Sequence, residues 1–511
     1  MRKFILSLLV IVCMISSIAN LVMAQQTSED DARAVATNWI SAIIAKKGSW
    51  ANAKRATVEE ITPFSRRGHQ VGYFCKVHPT GYIIVPLRKE MAPVKAYSAK
   101  SEIDPLSEEG LADLLKGNME RILGKIQEAE QQQMKHFGAL SVPADLLEID
   151  YRSAWEALKE GDLETIITVP PPAEGGQVFE QGETLDGTSE LEALNYQEGE
   201  VLLSSDWHQT TPYNNDCPDY GCATTSNGRA LVGCVATAGA QIMRYWSWPP
   251  WGETTGYTDP YDWVNMPDNA TTASSAEVQA AVAELSHEIG VAVNMSYGCE
   301  ASSAYTYNMA SVYEQFYRYS STINVDGASR VNRWEYTANY WFDMMKNEFN
   351  SNRPVQYRIT GHSIVGDGWQ TIGVINEYHM NYGWFGPGSD TWYTIDSMTA
   401  NPENDEYMIK DIIPSTYLVS LSGTYPKESF PYRYIYKDTI GGNGIFAGGQ
   451  FIQFLPGVSI ESVNYTIHFY NSTSDNTHLF TRGDINRGII MPQNSISGAI
   501  KMYPNGKIRL F

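Results

Sequence analysis

Two residues of this chain stand in settings where they could do chemistry, a cysteine at a predicted helix start and a histidine at a predicted strand start. Cys234 follows Gly233 and leads into Val235-Ala236-Thr237-Ala238-Gly239-Ala240-Gln241-Ile242-Met243-Arg244-Tyr245-Trp246. Val235, Ala238, Ile242 and Tyr245 or Trp246 recur at helical spacing, and Pro249 stops the run. The pattern predicts a helix that begins at the thiol. The unpaired amides and positive dipole end of a helix N-terminus favour the thiolate, which is the nucleophilic form. The same amides can hold the oxyanion formed when a carbonyl is attacked. Read alone, the segment fits a buried structural cysteine equally well. The histidine tips the balance. His362 opens Gly361-His362-Ser363-Ile364-Val365-Gly366-Asp367-Gly368-Trp369, which reads as a strand closing in a Gly-rich turn. Downstream, Asn381 begins Asn381-Tyr382-Gly383-Trp384-Phe385-Gly386. A thiol on a helix, an imidazole on a strand and a side-chain amide that fixes the imidazole tautomer make a set for nucleophilic attack on a carbonyl. Trp384 would then screen the His–Asn bond from water. Of the other nearby histidines, His287 and His379 read as structural, and His208, which precedes Gln209, is less easily dismissed.

These groups need a scaffold, and the patterns predict an α+β one. Residues 25–165 begin with a helical stretch, Asp31 to Ala45, with Ala34, Ala36, Trp39, Ile40 and Ile43 on one side. Strand-like runs follow at Gly72 to Val77 and Tyr82 to Pro86. A longer helix carries Leu111, Leu114, Leu115, Met119, Ile122, Leu123 and Ile126 at threes and fours. Residues 166–200 hold Pro170, Pro171 and Pro172 with glycines and glutamates, the composition of an exposed linker. No Lys or Arg occurs between Lys159 and Arg229, so a trypsin-like enzyme could not cut there. Residues 201–415 carry the chemistry. Residues 416–511 read as short strands in a β-sandwich-like appendage, ending in a hairpin at Asn505-Gly506.

Bulk properties narrow the function. Aromatics make up 12% of the 511 residues, which argues for packed globular structure. The formal net charge of −21 argues against nucleic-acid binding, which needs clustered Lys and Arg. Arg2 and Lys3, the apolar run Phe4 to Ile15 and the small-residue pattern at Val22-Met23-Ala24 predict a signal peptide over 1–24. That apolar run is shorter than the ~20 residues of a spanning helix. The expected location is secreted or exported: extracellular, periplasmic or cell-surface. Of 6 cysteines, Cys13 leaves with the signal, and Cys75, Cys217, Cys222, Cys234 and Cys299 remain. An odd number leaves at least one thiol free within a chain. Cys217 and Cys222 are near enough in sequence to pair. No spacing of His, Cys and carboxylates forms a metal site, and no cofactor is expected.

At these residues the chain resembles the streptopain family of papain-like cysteine proteases, which includes interpain-like enzymes. The resemblance covers most of 201–400. It rests on Gly233 to Ala238 with Ala240-Gln241-Ile242-Met243, on Trp207-His208-Gln209 with Pro212-Tyr213-Asn214, on Gly290 to Gly298 ahead of Ser302-Ser303-Ala304, and on Gly361-His362 with His379 to Trp384. It implies a papain-like domain over 201–415 in which Cys234 is nucleophile, His362 general base and acid, Asn381 its orienter, and Gln209 an oxyanion donor. It also implies an endopeptidase acting on proteins or peptides with an apolar residue two positions before the cut. Gly81-Tyr82-Ile83-Ile84-Val85 and Pro93 to Ser98 resemble the family's inhibitory prodomain, which would make the precursor a zymogen activated in the linker. The chain departs from the pattern in having Tyr382 where Trp is usual, a single glycine before the base, and Ala400 to Tyr407 in place of a Gly-rich loop. Two rivals stand beside this reading. An acyl transferase on the same fold would need an amine to outcompete water. A catalytically decayed secreted adhesin is opposed by the joint presence of Cys, His, Asn and Gln.

Overall fold

The computed structural model describes residues 26–137, 149–167 and most of 196–412, with only the strands named below beyond 412. The expected signal peptide and most of the expected linker lie outside the described residues, as does most of the 400–407 stretch. In chain order the helices and strands up to 412 are α1 Glu29–Lys47, β1 Thr57–Arg66, β2 His69–His78, β3 Tyr82–Pro86, β4 Ala96–Ser98, α2 Gly110–Phe137, α3 Arg152–Glu160, α4 Leu163–Ile167, α5 Cys234–Trp246, α6 Ala276–Ala292, α7 Met309–Tyr317, β5 Ser329–Asn332, α8 Ala338–Asn350, β6 Val355–Ile359, β7 His362–Ile372, β8 Ile375–Asn381, β9 Thr391–Thr394 and β10 Tyr407–Lys410. The class is α+β, as the patterns predict. The chain forms two compact units: residues 1–173 with 332–344 and 358–407, and residues 174–331 with 345–357 and 408–511.

In the first unit, α1 starts where Ser28 and Asp31 cap each other. The Asp31 N–H donates to Ser28 Oγ at 3.1 Å, and the Ser28 N–H donates to Asp31 Oδ2 at 3.3 Å. The helix ends at Gly48, whose φ of 81° is a left-handed cap that glycine adopts without strain. Ala36, Trp39, Ile40 and Ile43 are buried as expected, but Val35 takes the interior position and Ala34 is half-buried. Against this helix stands an antiparallel sheet in the order β1-β2-β3-β4-β9-β8-β7. Its first four strands come from the N-terminal region, and its last three come from the segment that holds His362. The seam is β4 on β9, with Ala96 opposite Tyr393 and Tyr97 opposite Trp392. Side chains tie it further. The Tyr82 and Thr391 hydroxyls are 2.8 Å apart, and Thr394 Oγ1 donates to the Val94 carbonyl at 2.7 Å.

Strand β7 does not close in a turn at Gly366-Asp367-Gly368, as its glycines suggest. It continues to Ile372, and a register shift between Gly366 and Gly368 absorbs the extra residue as a bulge. The glycines serve that bulge.

In the second unit, α5 is buried along nearly its whole length and packs beside α6 and α7. Gly239 permits the close approach: a Cβ there would lie 2.7 Å from Met309 Cε. Buried Gln356 on β6 donates to the Val235 carbonyl at 3.0 Å and accepts from the Tyr313 hydroxyl at 2.9 Å, which anchors the first turn of α5. In the tail, Gly423–Thr424, Gly444–Gly448, Ile467–Asn471 and Thr477–Phe480 form one four-stranded sheet. Arg433–Ile435, Phe451–Phe454, Lys507–Leu510 and Ile500–Met502 form another. The last two pair antiparallel, Ile500 opposite Leu510, which is the hairpin expected around Asn505-Gly506. Among the described residues, no helix is long and apolar enough to cross a membrane.

Candidate active site

Cys234 is the first residue of α5 and is partly accessible. The Gly233 carbonyl takes both the Thr237 N–H, at 3.0 Å, and the Thr237 hydroxyl, at 3.1 Å. Gly233 is therefore the cap, and the amides of Cys234, Val235 and Ala236 have no acceptor within the helix. Gly233 must be glycine. Its φ is 89°, and a Cβ there would meet Met295 at 2.8 Å and Ser302 Cβ at 3.1 Å.

Gln209 is fastened to the same loop, because the Val232 N–H donates to the Gln209 carbonyl at 3.0 Å. A second tie comes from within α5. Fully buried Gln241 accepts from the Trp207 N–H at 3.1 Å and from the Ser205 hydroxyl at 3.2 Å. The 205–209 segment thus rides on the helix that begins with the nucleophile. The sequence shows Gln241 only as a polar residue on an apolar helix, and its acceptor role was not legible there. His208 is not a candidate base. Burial pushes its pKa down to about 4, and its Nδ1 accepts from the Thr210 N–H at 3.3 Å. His287, on α6, stacks on Tyr297 and is structural.

The loop before Cys234 is held by Ser302 and a disulfide. Ser302 Oγ donates to the Leu231 carbonyl at 2.7 Å and accepts the Gly298 N–H at 3.0 Å. The Leu231 N–H donates to the Gly298 carbonyl at 3.1 Å. The bridge joins Cys222 to Cys299, so pairing of Cys217 with Cys222 is wrong. Cys217 turns inward to the Tyr297 hydroxyl, and burial pushes its thiol up to about 12. The bridge closes a span of 77 residues. Replacing both Cys222 and Cys299 with serine should lower unfolding stability by about 2–4 kcal/mol, measured by urea denaturation of the Cys234→Ala chain without reductant.

In the other unit, His362 is the first residue of β7 and is buried. Its Nε2 lies 2.8 Å from the Tyr382 carbonyl. A carbonyl only accepts, so Nε2 carries the proton of the neutral ring and Nδ1 is left as the basic nitrogen. The Trp384 ring stacks on the imidazole with centroids 4.1 Å apart, and the buried Tyr382 ring stacks with both at longer range. Asn381 is buried at the end of β8, and its Oδ1 accepts the Gly383 N–H at 3.0 Å. The Asn381 side chain therefore shapes the turn whose Tyr382 carbonyl receives the imidazole proton. No side-chain pattern marks that backbone oxygen. His379 is structural, as its place on β8 suggests: its Nδ1 lies 2.7 Å from Asp367 Oδ1 on the bulge of β7.

A thiol at a helix start in one unit and, in the other, a histidine with a fixed tautomer are the residue types a cysteine-type peptidase uses. Residues 207–393 match the Peptidase C10 family and residues 24–122 match the Spi protease inhibitor, so the two regions resemble a streptopain-type peptidase and its inhibitor-type prodomain. Among curated proteins it is similar to the thiol protease/hemagglutinin PrtT of Porphyromonas gingivalis, at 27% identity over 207 residues, which are 37% of this chain and 22% of that one. It is also similar to streptopain of Streptococcus pyogenes, at 27% identity over 222 residues, 38% of this chain and 54% of that one. The chain thus matches about a fifth and about half of those relatives' lengths. Among solved structures, a prointerpain A fragment of Prevotella intermedia matches with a TM-score of 0.46 and 20% identity, covering 70% of this chain and 99% of that one. Active interpain A from the same organism matches with a TM-score of 0.35 and 27% identity, covering 43% and 97%.

Proposed function

We propose that this chain is the precursor of an exported cysteine endopeptidase that hydrolyses peptide bonds and is held latent by its own prodomain. The Cys234 thiolate attacks the peptide carbonyl carbon, and a C–S bond forms. Gln209 and the Cys234 amide hold the resulting oxyanion. His362 delivers a proton to the leaving amine as the C–N bond breaks. It then takes a proton from the water that attacks the thioester, and the C–S bond breaks as the acid leaves. Asn381 orients His362 through the turn that presents the Tyr382 carbonyl, and Trp384 keeps water from that bond. The preferred substrate carries an apolar residue two positions before the cut. Residues 25–165 serve as the inhibitory prodomain, and maturation cuts within 166–200. The single observation that carries this reading is Cys234 at the first position of α5 with Gln209 fastened at Val232.

The test incubates the chain lacking residues 1–24 beside its Cys234→Ala form under reducing conditions, following fragment masses and casein cleavage. We expect only the chain with Cys234 to shed its N-terminal region and gain activity. If both stay inert after another protease removes the prodomain, Cys234 catalysis is excluded and a binding role takes its place. Peptides linked to added amines, in place of free acids, would point to acyl transfer.

A further inference from the structure

The seam between the prodomain and the sheet that carries His362 hides an acid that the reaction does not use. Glu377 lies on β8, opposite Gln370 of β7 and Thr394 of β9, and is fully buried. Gln370 Nε2 donates to Glu377 Oε2 at 2.6 Å and to the Tyr97 hydroxyl of the prodomain at 2.7 Å. Oε1 of Glu377 and Oε1 of Gln370 find no hydrogen-bond partner among the described residues. Tyr97, whose hydroxyl takes the Gln370 bond, is buried and packs against Trp39 and Trp50 at ring distances of 5.7 and 5.6 Å. All three of these rings belong to the prodomain.

Charged neighbours do little to compensate. Lys46 and Lys47 at the end of α1 are exposed. The first bonds the Thr371 carbonyl, and the second lies 4.3 Å over the Trp392 ring. Lys95, before β4, donates to the Thr394 carbonyl at 3.2 Å. On the sheet itself, His379 is bonded to Asp367. A carboxylate sealed in such a place loses its hydration without gaining a close cation, which disfavours the charged form.

We propose that Glu377 takes up a proton from solvent when the prodomain docks and returns it when the prodomain leaves, so that this seam loosens as pH rises. The inference rests on the reading of residues 25–165 as a separable prodomain. Burial places the Glu377 carboxyl at about 8 in the docked state, with the nearby lysines opposing the shift only weakly. With the prodomain gone, water reaches it and an ordinary glutamate value near 4.3 returns. The docked form has the raised value. Docking is therefore strongest below the free value, and it weakens about tenfold per pH unit until pH passes the docked value. The sign follows from burial alone: acid holds the prodomain on this face, and neutral to mildly basic solution frees it.

The experiment uses the Cys234→Ala chain, which cannot cut itself, with a specific cleavage sequence inserted in the linker. After nicking, retention of the prodomain is followed by gel filtration between pH 5 and pH 8. The dissociation constant should rise by at least about a hundredfold over that range. In Glu377→Gln, where no charge can form, the change attributable to this site should vanish and the curve should flatten. An infrared band of a protonated carboxyl at pH 6.5, present in the intact Cys234→Ala chain and absent from its Glu377→Gln form, gives a reading that does not depend on nicking. Equal pH dependence with and without Glu377, a flat curve with Glu377 present, or absence of the band would each overturn the proposal. Turnover is never read, so a chain that proves inert as a protease leaves this result standing, and the converse holds as well.

Discussion

His362→Ala is expected to lower kcat by about 10⁴-fold or more, with KM changed far less, because base and nucleophile act as a unit. Without the ring, no group takes the thiol proton and none delivers a proton to the leaving amine. The amine then has to depart as an anion. The structure gives this residue one preferred way to act. The 2.8 Å bond to the Tyr382 carbonyl holds the proton on Nε2, and the Trp384 ring at 4.1 Å holds the plane. Single-turnover kinetics on a peptide substrate, with the prodomain removed in both forms, would measure the loss. A loss smaller than tenfold would mean that another base serves the thiol. His208 is the least suited to do so, since burial lowers its pKa to about 4.

Gln209→Ala carries the second large effect, about 10²–10³ in kcat, the usual cost of removing one oxyanion donor. The substitution removes the amide but keeps the backbone. The Val232 N–H to Gln209 carbonyl bond and the Gln241 clamp on Trp207 therefore remain. A loss confined to kcat, with an unchanged unfolding midpoint, would place the effect on the transition state. Equal losses in kcat/KM and in stability would instead mean that the segment had come loose. Gln209→Glu makes a sharper comparison, because its carboxylate would repel the charge that the amide attracts.

Much of the site is legible in the residues because its parts are local. A helix that begins at Cys234 follows from a glycine cap, an apolar stripe and a downstream proline, all within one segment. The strand start at His362 and the shared strand of His379 and Asn381 follow from alternation over a few residues. Where local signals mislead, a longer-range contact has overruled them. Gly366 and Gly368 read as a turn but form a bulge, because the partner strand β8 continues past them. Cys217 and Cys222 read as neighbours, but Cys222 reaches a cysteine 77 residues away.

By itself, then, the sequence determined the α+β class, the acidic charge that argues against nucleic-acid binding, and the set of Cys234, His362, Asn381, Gln209 and Trp384 as the residues to watch. These follow from residue type and short spacing, which the chain carries before it folds. Tertiary structure alone decided that the imidazole proton goes to the Tyr382 carbonyl, that Gln241 fastens the Trp207 segment, and that β4 joins β9. It alone decided that Glu377 is buried and linked through Gln370 to Tyr97. Each of these depends on backbone groups that have no letter of their own, or on burial by residues hundreds of positions away. A side chain's acidity is set by the water it loses, and only the folded seam removes that water.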